Sequence, residues 1–295
     1  MLTTRHGVHV LSASDLDAFQ RLAAADPVVN VFASFRAATT NLEPRWLGGE
    51  VWGRYVDGEL CAACHVGANL VPGQATADDA RAVAERALAR GRTVTTIVGP
   101  QQAVRPFWHT VAASWGTPRE QRWDQPHLEI RDAPLVAPDP AVRRTTMADA
   151  DAVYPACVAM YTEEVGVSPE VGGGGDLYRT RVHQLISRGW SFARIAGGEV
   201  VVKAEVASVT PYAAQVQGVW VTPKLRGQGI GTAGMAAVVA AVRSDIAPVV
   251  SLYVNDYNHA ARRAYERVGF RQTATFATIM FLPTRTGSRR RRTGQ

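Results

Sequence analysis

Residues 219–234 read VWVTPKLRGQGIGTAG, a β-branched and aromatic run followed by three closely spaced glycines and then by small residues. Such a pattern predicts a strand that enters a Gly-rich loop and leaves it as a helix. Gly227, Gly229 and Gly231 permit backbone angles and close approaches that a Cβ forbids. The helix behind them offers unpaired N–H groups and the positive end of its dipole. Together these suit a phosphate or pyrophosphate. The nucleoside-triphosphatase loop is excluded, because Gly231 is followed by Thr232 with no Lys. The dinucleotide fingerprint G-x-G-x-x-G is met in spacing by Gly229, Gly231 and Gly234, and Asp256 follows the next strand at about the acidic position. Spacing alone leaves that option open.

The rest of the C-terminal half predicts helices over 148–164 and 177–187, and then a hairpin of WSFARIA and EVVVKAEVASV turning at Gly197 and Gly198. A strand AAQVQGVWV, the loop, a helix over 229–243, a strand VVSLYVN, a helix HAARRAYERVG and a closing strand near TATFATIMFL complete it. The N-terminal half repeats this order loosely. It offers a helix near 16–24, strands VWGRYV and ELCAACHV around Asp57–Gly58, a helix in ATADDARAVAERALARG, a strand TVTTIVG and a helix near 104–114. One strand is missing before Pro72–Gly73. Hairpins followed by alternating strands and helices predict an α/β (α+β) mixed sheet, with the first half a drifted copy of the second. The proline-rich stretch marks the boundary, giving domains at 1–133 and 142–284, a linker at 134–141 and a basic tail at 285–295.

That tail explains the charge. The net +6 of this 295-residue chain includes five arginines, Arg285 and 289–292, so the folded part is close to neutral. A basic face for nucleic acid is not expected, and the tail lacks the aromatic residues of a binding platform. Three cysteines argue against a disulfide framework. Cys61 and Cys64 form a C-x-x-C within a strand, where residues three apart face opposite ways, and read as structural. No apolar run is long enough to span a bilayer, and MLTTRHGVHV lacks the makings of a secretory signal, so a cytoplasmic protein without membrane partners is expected.

Two blocks settle the loop's kinship. Arg226, Gly229 and Gly231 follow a strand ending in Val221, Thr222 and Pro223. One helix and one strand later come Asn258, Ala261, Tyr265, Glu266, Gly269 and Phe270. Over about 142–282 the sequence resembles the GNAT superfamily of acyl-CoA-dependent N-acyltransferases, of the tandem type with a degenerate N-terminal GNAT-like domain, as in uncharacterised actinobacterial members. The first half has no Arg-x-x-Gly-x-Gly at the corresponding turn.

The resemblance implies acetyl-CoA as cosubstrate and no metal. It implies that Arg226, Gly227, Gln228, Gly229, Ile230, Gly231 and Thr232 bind the cofactor, with backbone N–H groups from Gln228 to Thr232 cradling the pyrophosphate, and that exposed backbone of Val219, Trp220 and Val221 runs beside the pantetheine arm and binds the thioester carbonyl. Tyr265 would protonate the departing thiolate, and Asn258 would touch the pantetheine or cap its helix. The general base is less evident. Glu205, Glu163, Glu164 and His183 are candidates, with Glu205 and Glu164 placed beside Tyr265 as catalytic residues. Glu205 shares a strand face with Lys203, opposite Val202, Ala204 and Val206, which predicts a solvated pair. Gly172–Gly175 reads as a hinge or flexible lid next to Glu163 and Glu164. The expected activity is direct attack of a primary amine, on a small molecule or peptide, in a ternary complex. The competing reading is a non-catalytic acyl-CoA sensor. The acceptor and the oligomeric state stay open.

Overall fold

The computed structural model describes residues 5–282; the arginine-rich stretch 285–295 lies outside them. In chain order the elements are β1 (Gly7–Val10), α1 (Leu16–Ala23), α2 (Val31–Thr40), α3 (Pro44–Leu47), β2 (Glu50–Val56), β3 (Glu59–Val66), β4 (Asn69–Gly73), α4 (Ala77–Arg90), β5 (Thr96–Pro100), α5 (Gln101–Trp115) and β6 (Glu120–Ile130). There follow β7 (Arg143–Arg144), α6 (Ala150–Val165), α7 (Gly175–Ser187), β8 (Ser191–Ala196), β9 (Glu199–Val209), β10 (Ala213–Val221), α8 (Ile230–Asp245), β11 (Val249–Tyr253), α9 (His259–Val268) and β12 (Arg271–Met280). The mixed α/β class expected from the sequence is what forms. Residues 134–141 carry neither helix nor strand.

Two compact units result. Among the described residues the first comprises 5–22, 40–123 and 277–282, and the second 23–39 and 124–276.

In the first unit β1, β2, β3, β4 and β5 lie side by side. The β2–β3 hairpin turns at Asp57 and Gly58, both at positive φ (49° and 87°), the mirror-image turn that fits strand twist. β4 is the strand missing from the sequence reading, paired in parallel with β5. Trp52, Leu70, Ile97, Phe107 and Ile279 are buried in one apolar cluster with α4 and α5. Cys64 is buried in it and both Cys61 and Cys64 are free thiols.

In the second unit the strand order is β12, β6, β11, β10, β9, β8, β7. β8 and β9 turn at Gly197 and Gly198, again both at positive φ. Helices α8 and α9 cover one face, where Val206, Val216, Met235, Val239, Leu252 and Val268 form the core. A Cβ on Gly234 would come 3.0 Å from Val202 Cγ2, so the glycine lets α8 lie close on β9. On the other face α6 and α7 pack over β8 and β9 through Val153, Cys157, Val182 and Ile186. Val28 and Val31 cover Ala213 and Val249 on the same unit.

This second layer overturns one expectation. Lys203 and Glu205 do share a strand face, but that face is not solvated: they are 1% and 4% exposed. Helix α6 lies over them and they form an ion pair at 2.5 Å. A charged pair on alternate residues reads as solvent-facing unless its partners are known to be each other. The segments 31–40 and 120–130 were also not read as elements. EQRWDQPHLEI is polar over most of its length and holds Pro126, which hides a strand that is buried in its second half.

Candidate functional site

The site grows out of β10. This strand pairs in parallel with β11 over Ala213–Val249, Ala214–Val250 and Gln215–Ser251. Beyond Gln215 no further pairing joins the two strands among the described residues, so they part there. On its other side β10 stays paired with β9 to Val221–Val202, but with a register shift between Gln217 and Trp220. Three steps along β10 there match two along β9, from Glu205 to Lys203, so β10 carries one extra residue. Gly218, at φ 61°, makes this bulge.

β10 then runs through a short 3₁₀ turn (Pro223–Leu225) into the loop. Gly227 and Gly229 have φ of 78° and 81°, left-handed angles that a glycine adopts without strain. None of the N–H groups from Gly227 to Gly231 has an acceptor among the described residues. Those of Thr232 and Ala233 donate to the Gly229 carbonyl, at 3.0 and 3.1 Å, so Thr232 keeps only its hydroxyl for a ligand. Five consecutive donors at the head of a 16-residue helix form a cradle that fits a pyrophosphate. Arg226 is tied back: its Nε donates to the Val221 carbonyl (2.9 Å) and its Nη2 to Glu163 Oε2 (2.8 Å). Glu163 also accepts from Trp220 Nε1 at 3.1 Å. The C-terminal end of α6 is thereby pinned to β10 and the loop.

Tyr265, on α9, is 6% exposed and its ring lies against Phe270. Its hydroxyl has no hydrogen-bond partner among the described residues. Burial, and to a lesser extent the charge of Glu164, push its pKa well above the ordinary phenol value. Glu164 stands close enough to be felt and is exposed at the α6 terminus. Asn255 Nδ2 donates to Glu164 Oε1 at 3.1 Å, and Gln125 Nε2 donates to Asn255 Oδ1 at 2.8 Å. Asn255 and Gln125 were missed in the sequence, since nothing local marks an amide that will orient a distant carboxylate. Asn258 caps α9, its Oδ1 accepting from the Ala261 N–H at 3.1 Å.

The other expected residues fall elsewhere. Glu205 sits behind the bulge with Lys203 on one oxygen and Cys157 Sγ on the same atom at 3.2 Å. Burial alone would raise the Glu205 pKa, but Lys203 reverses the sign and the carboxyl lies below its usual value. His183 is part of α7. Gly172 and Gly173, both at positive φ, lie in a 3₁₀ turn that leads directly into α7.

The first unit's helix after β4 is built differently. Thr76 caps α4 by accepting from the Asp79 N–H, and Asp79 returns the bond to the Thr76 N–H. Asp78 and Asp79 stand in its first turn, paired with Arg81 and Arg54, so that helix end carries its own carboxylates in place of a bound anion.

Among the described residues no group of three His, Cys, Asp or Glu side chains could hold a metal, and no helix is long and apolar enough to cross a membrane.

Comparison with known proteins finds similar folds. Residues 179–270 match the model of the acetyltransferase (GNAT) family. Residues 49–153 match a domain of unknown function, DUF4081. No curated protein matches the chain in sequence. Among solved structures, a GCN5-related N-acetyltransferase from Sphaerobacter thermophilus is similar at 17% identity and a TM-score of 0.57, covering 94% of this chain and 98% of its own. A GNAT-family acetyltransferase from Colwellia psychrerythraea has 15% identity and a TM-score of 0.55, covering 93% and 99%. A tandem GNAT protein from the clavulanic acid biosynthesis pathway has 16% identity and a TM-score of 0.55, covering 94% and 99%. At these identities the likeness is one of fold, and it extends over almost the whole chain. Residues 179–270 thus match the GNAT acetyltransferase family, and the fold over almost the whole chain is that of GNAT acetyltransferase structures.

Proposed function

We propose that the protein is an acyl-CoA-dependent N-acyltransferase, with acetyl-CoA as donor and a primary amine as acceptor. The observation that carries this reading is the row of unpartnered N–H groups from Gly227 to Gly231 at the end of a strand that has parted from its neighbour. Those donors would hold the pyrophosphate, with Arg226 and the Thr232 hydroxyl beside them. The strand segment 219–221 would line the pantetheine arm, and Asn258 has its side-chain N–H₂ to offer. When bound, acetyl-CoA supplies a thioester, a carbonyl activated for attack by nitrogen.

This chain's own residues would then manage the protons and the charge. A backbone N–H at the bulge would stabilise the negative charge that develops on the carbonyl oxygen. Glu164, exposed and oriented by Asn255, would take the proton from the incoming amine. Tyr265 would give its proton to the leaving sulfur; an unpaired, protonated hydroxyl is what that role needs. Glu205 is a poor base by comparison, since it is buried and already paired with Lys203. Glu163 is likewise engaged, by Trp220 and Arg226.

The test is release of free CoA from acetyl-CoA with a panel of amines and peptides, alongside direct binding of acetyl-CoA. Amine-dependent release supports the reading. Binding without release from any acceptor would favour a sensor.

A further inference from the structure

Behind the bulge lies a buried polar cluster that the acyl-transfer reading does not use. Lys203 Nζ donates to Glu205 Oε1 at 2.5 Å and to the Gly218 carbonyl oxygen at 3.1 Å. Glu205 takes a further bond from Cys157 Sγ, and Tyr178, whose hydroxyl donates to the Cys157 carbonyl at 3.0 Å, closes the cluster from α7. Burying a charge pair in this way costs several kcal/mol in desolvation, and an apolar pair often serves stability as well. Its geometry gives it another use.

Gly218 is the extra residue of β10, in the stretch without a β11 partner and with a backbone that a glycine leaves soft. A Cβ there would lie 3.1 Å from Glu205 Oε2 and 3.2 Å from Lys203 Nζ, so the glycine is what admits the pair. The chain has no cis peptide among its described bonds. In a trans peptide the C=O and the following N–H point in opposite directions within one plane. Gripping the Gly218 oxygen therefore sets the direction of the Val219 N–H, away from Lys203.

We propose that Lys203 is a positioning residue for acyl transfer, holding the Gly218–Val219 peptide so that the Val219 N–H is aimed at the acyl carbonyl of the donor. The inference rests on the acyltransferase reading for its purpose, but the hold itself is a property of the protein without ligand.

Two neutral variants test it, Lys203→Met/Glu205→Met and Lys203→Gln/Glu205→Gln; the second keeps a polar pair but a side chain one atom shorter. Each is compared with the wild type in two ways. The first is the infrared carbonyl band of bound acetyl-CoA labelled with ¹³C at the carbonyl. The second is hydrogen exchange of the Val219 amide in the unliganded protein, with Val216 as the internal standard. We expect a band shifted to lower frequency in the wild type and returned to its free position in both variants. CoA affinity should stay within about threefold, and Val219 exchange should be about tenfold faster or more. An unchanged band shift in a folded variant overturns the proposal. Should the wild type not bind acetyl-CoA, the acyltransferase reading fails and exchange decides for Lys203. Faster exchange at Val219 alone then supports the hold, and equal exchange overturns it.

Discussion

Asn255 joins two parts of the second unit: it donates to Glu164 at the end of α6 and accepts from Gln125 on β6. An exposed carboxylate at a helix end is free to turn, and this amide fixes one of its oxygens. Replacing Asn255 by Ala should lower kcat about tenfold with KM for acetyl-CoA unchanged, whereas Glu164→Gln should cost about a hundredfold. Steady-state kinetics on both variants decide it. An Asn255→Ala enzyme with wild-type kcat would show that Glu164 needs no orientation.

Tyr265→Phe should lower kcat by about 10²-fold or more and leave acetyl-CoA binding intact. A general acid must hold its proton, and both burial and the Glu164 charge favour the protonated phenol. The pKa moves up, so loss of this proton should not reduce activity at any pH below about 10. A kcat profile with a Tyr265-dependent fall near neutrality would contradict the assignment.

Much of this was legible beforehand because it is local. A strand ending in Val-x-Pro, glycines at fixed spacing and a helix behind them depend on a dozen consecutive residues, as does the Asn258 cap of α9. What was not legible depends on distant partners. Lys203 and Glu205 alternate with apolar residues like any half-exposed strand, and Cys157 and Tyr178, brought over by α6 and α7, help to bury them. Asn255 looks like an ordinary loop residue until Glu164, remote in sequence, arrives beside it. β6 was hidden for the same reason, its Gln125 and His127 being polar yet almost fully buried.

Gly218→Ala should be costly although it adds one methyl group. The residue would be held at φ 61° with its Cβ against Glu205 and Lys203. A loss of about 1–3 kcal/mol is expected from chemical denaturation, with kcat lowered as well. A variant of wild-type stability would mean that the bulge relaxes freely.

His127 gives the fold a pH dependence of its own. It is fully buried, stacked on Phe276 with ring centroids 4.9 Å apart, and Nε2 has no hydrogen-bond partner among the described residues. Burial pushes its pKa down to about 4, against the smaller opposing effects of Asp26 and Glu129. The unfolded chain binds this proton first, near pH 6.5, so the unfolded state holds more protons between there and 4. The His127 contribution is fully present above about pH 6.5 and is lost as the pH falls toward 4, by at most about 3 kcal/mol. Urea midpoints at pH 7 and 4.5 should fall less in His127→Phe than in the wild type. Equal falls would contradict a buried neutral imidazole.

The loop at 226–232 and Tyr265 are proposed to serve the transfer of an acyl group to an amine. The most direct test is the rate of CoA release from acetyl-CoA across amine acceptors, measured on the wild type and on Tyr265→Phe in the same assay. Release should depend on one class of amine and collapse in the variant while acetyl-CoA still binds. Tight binding of acetyl-CoA with no release for any amine, or release indifferent to Tyr265, would contradict it.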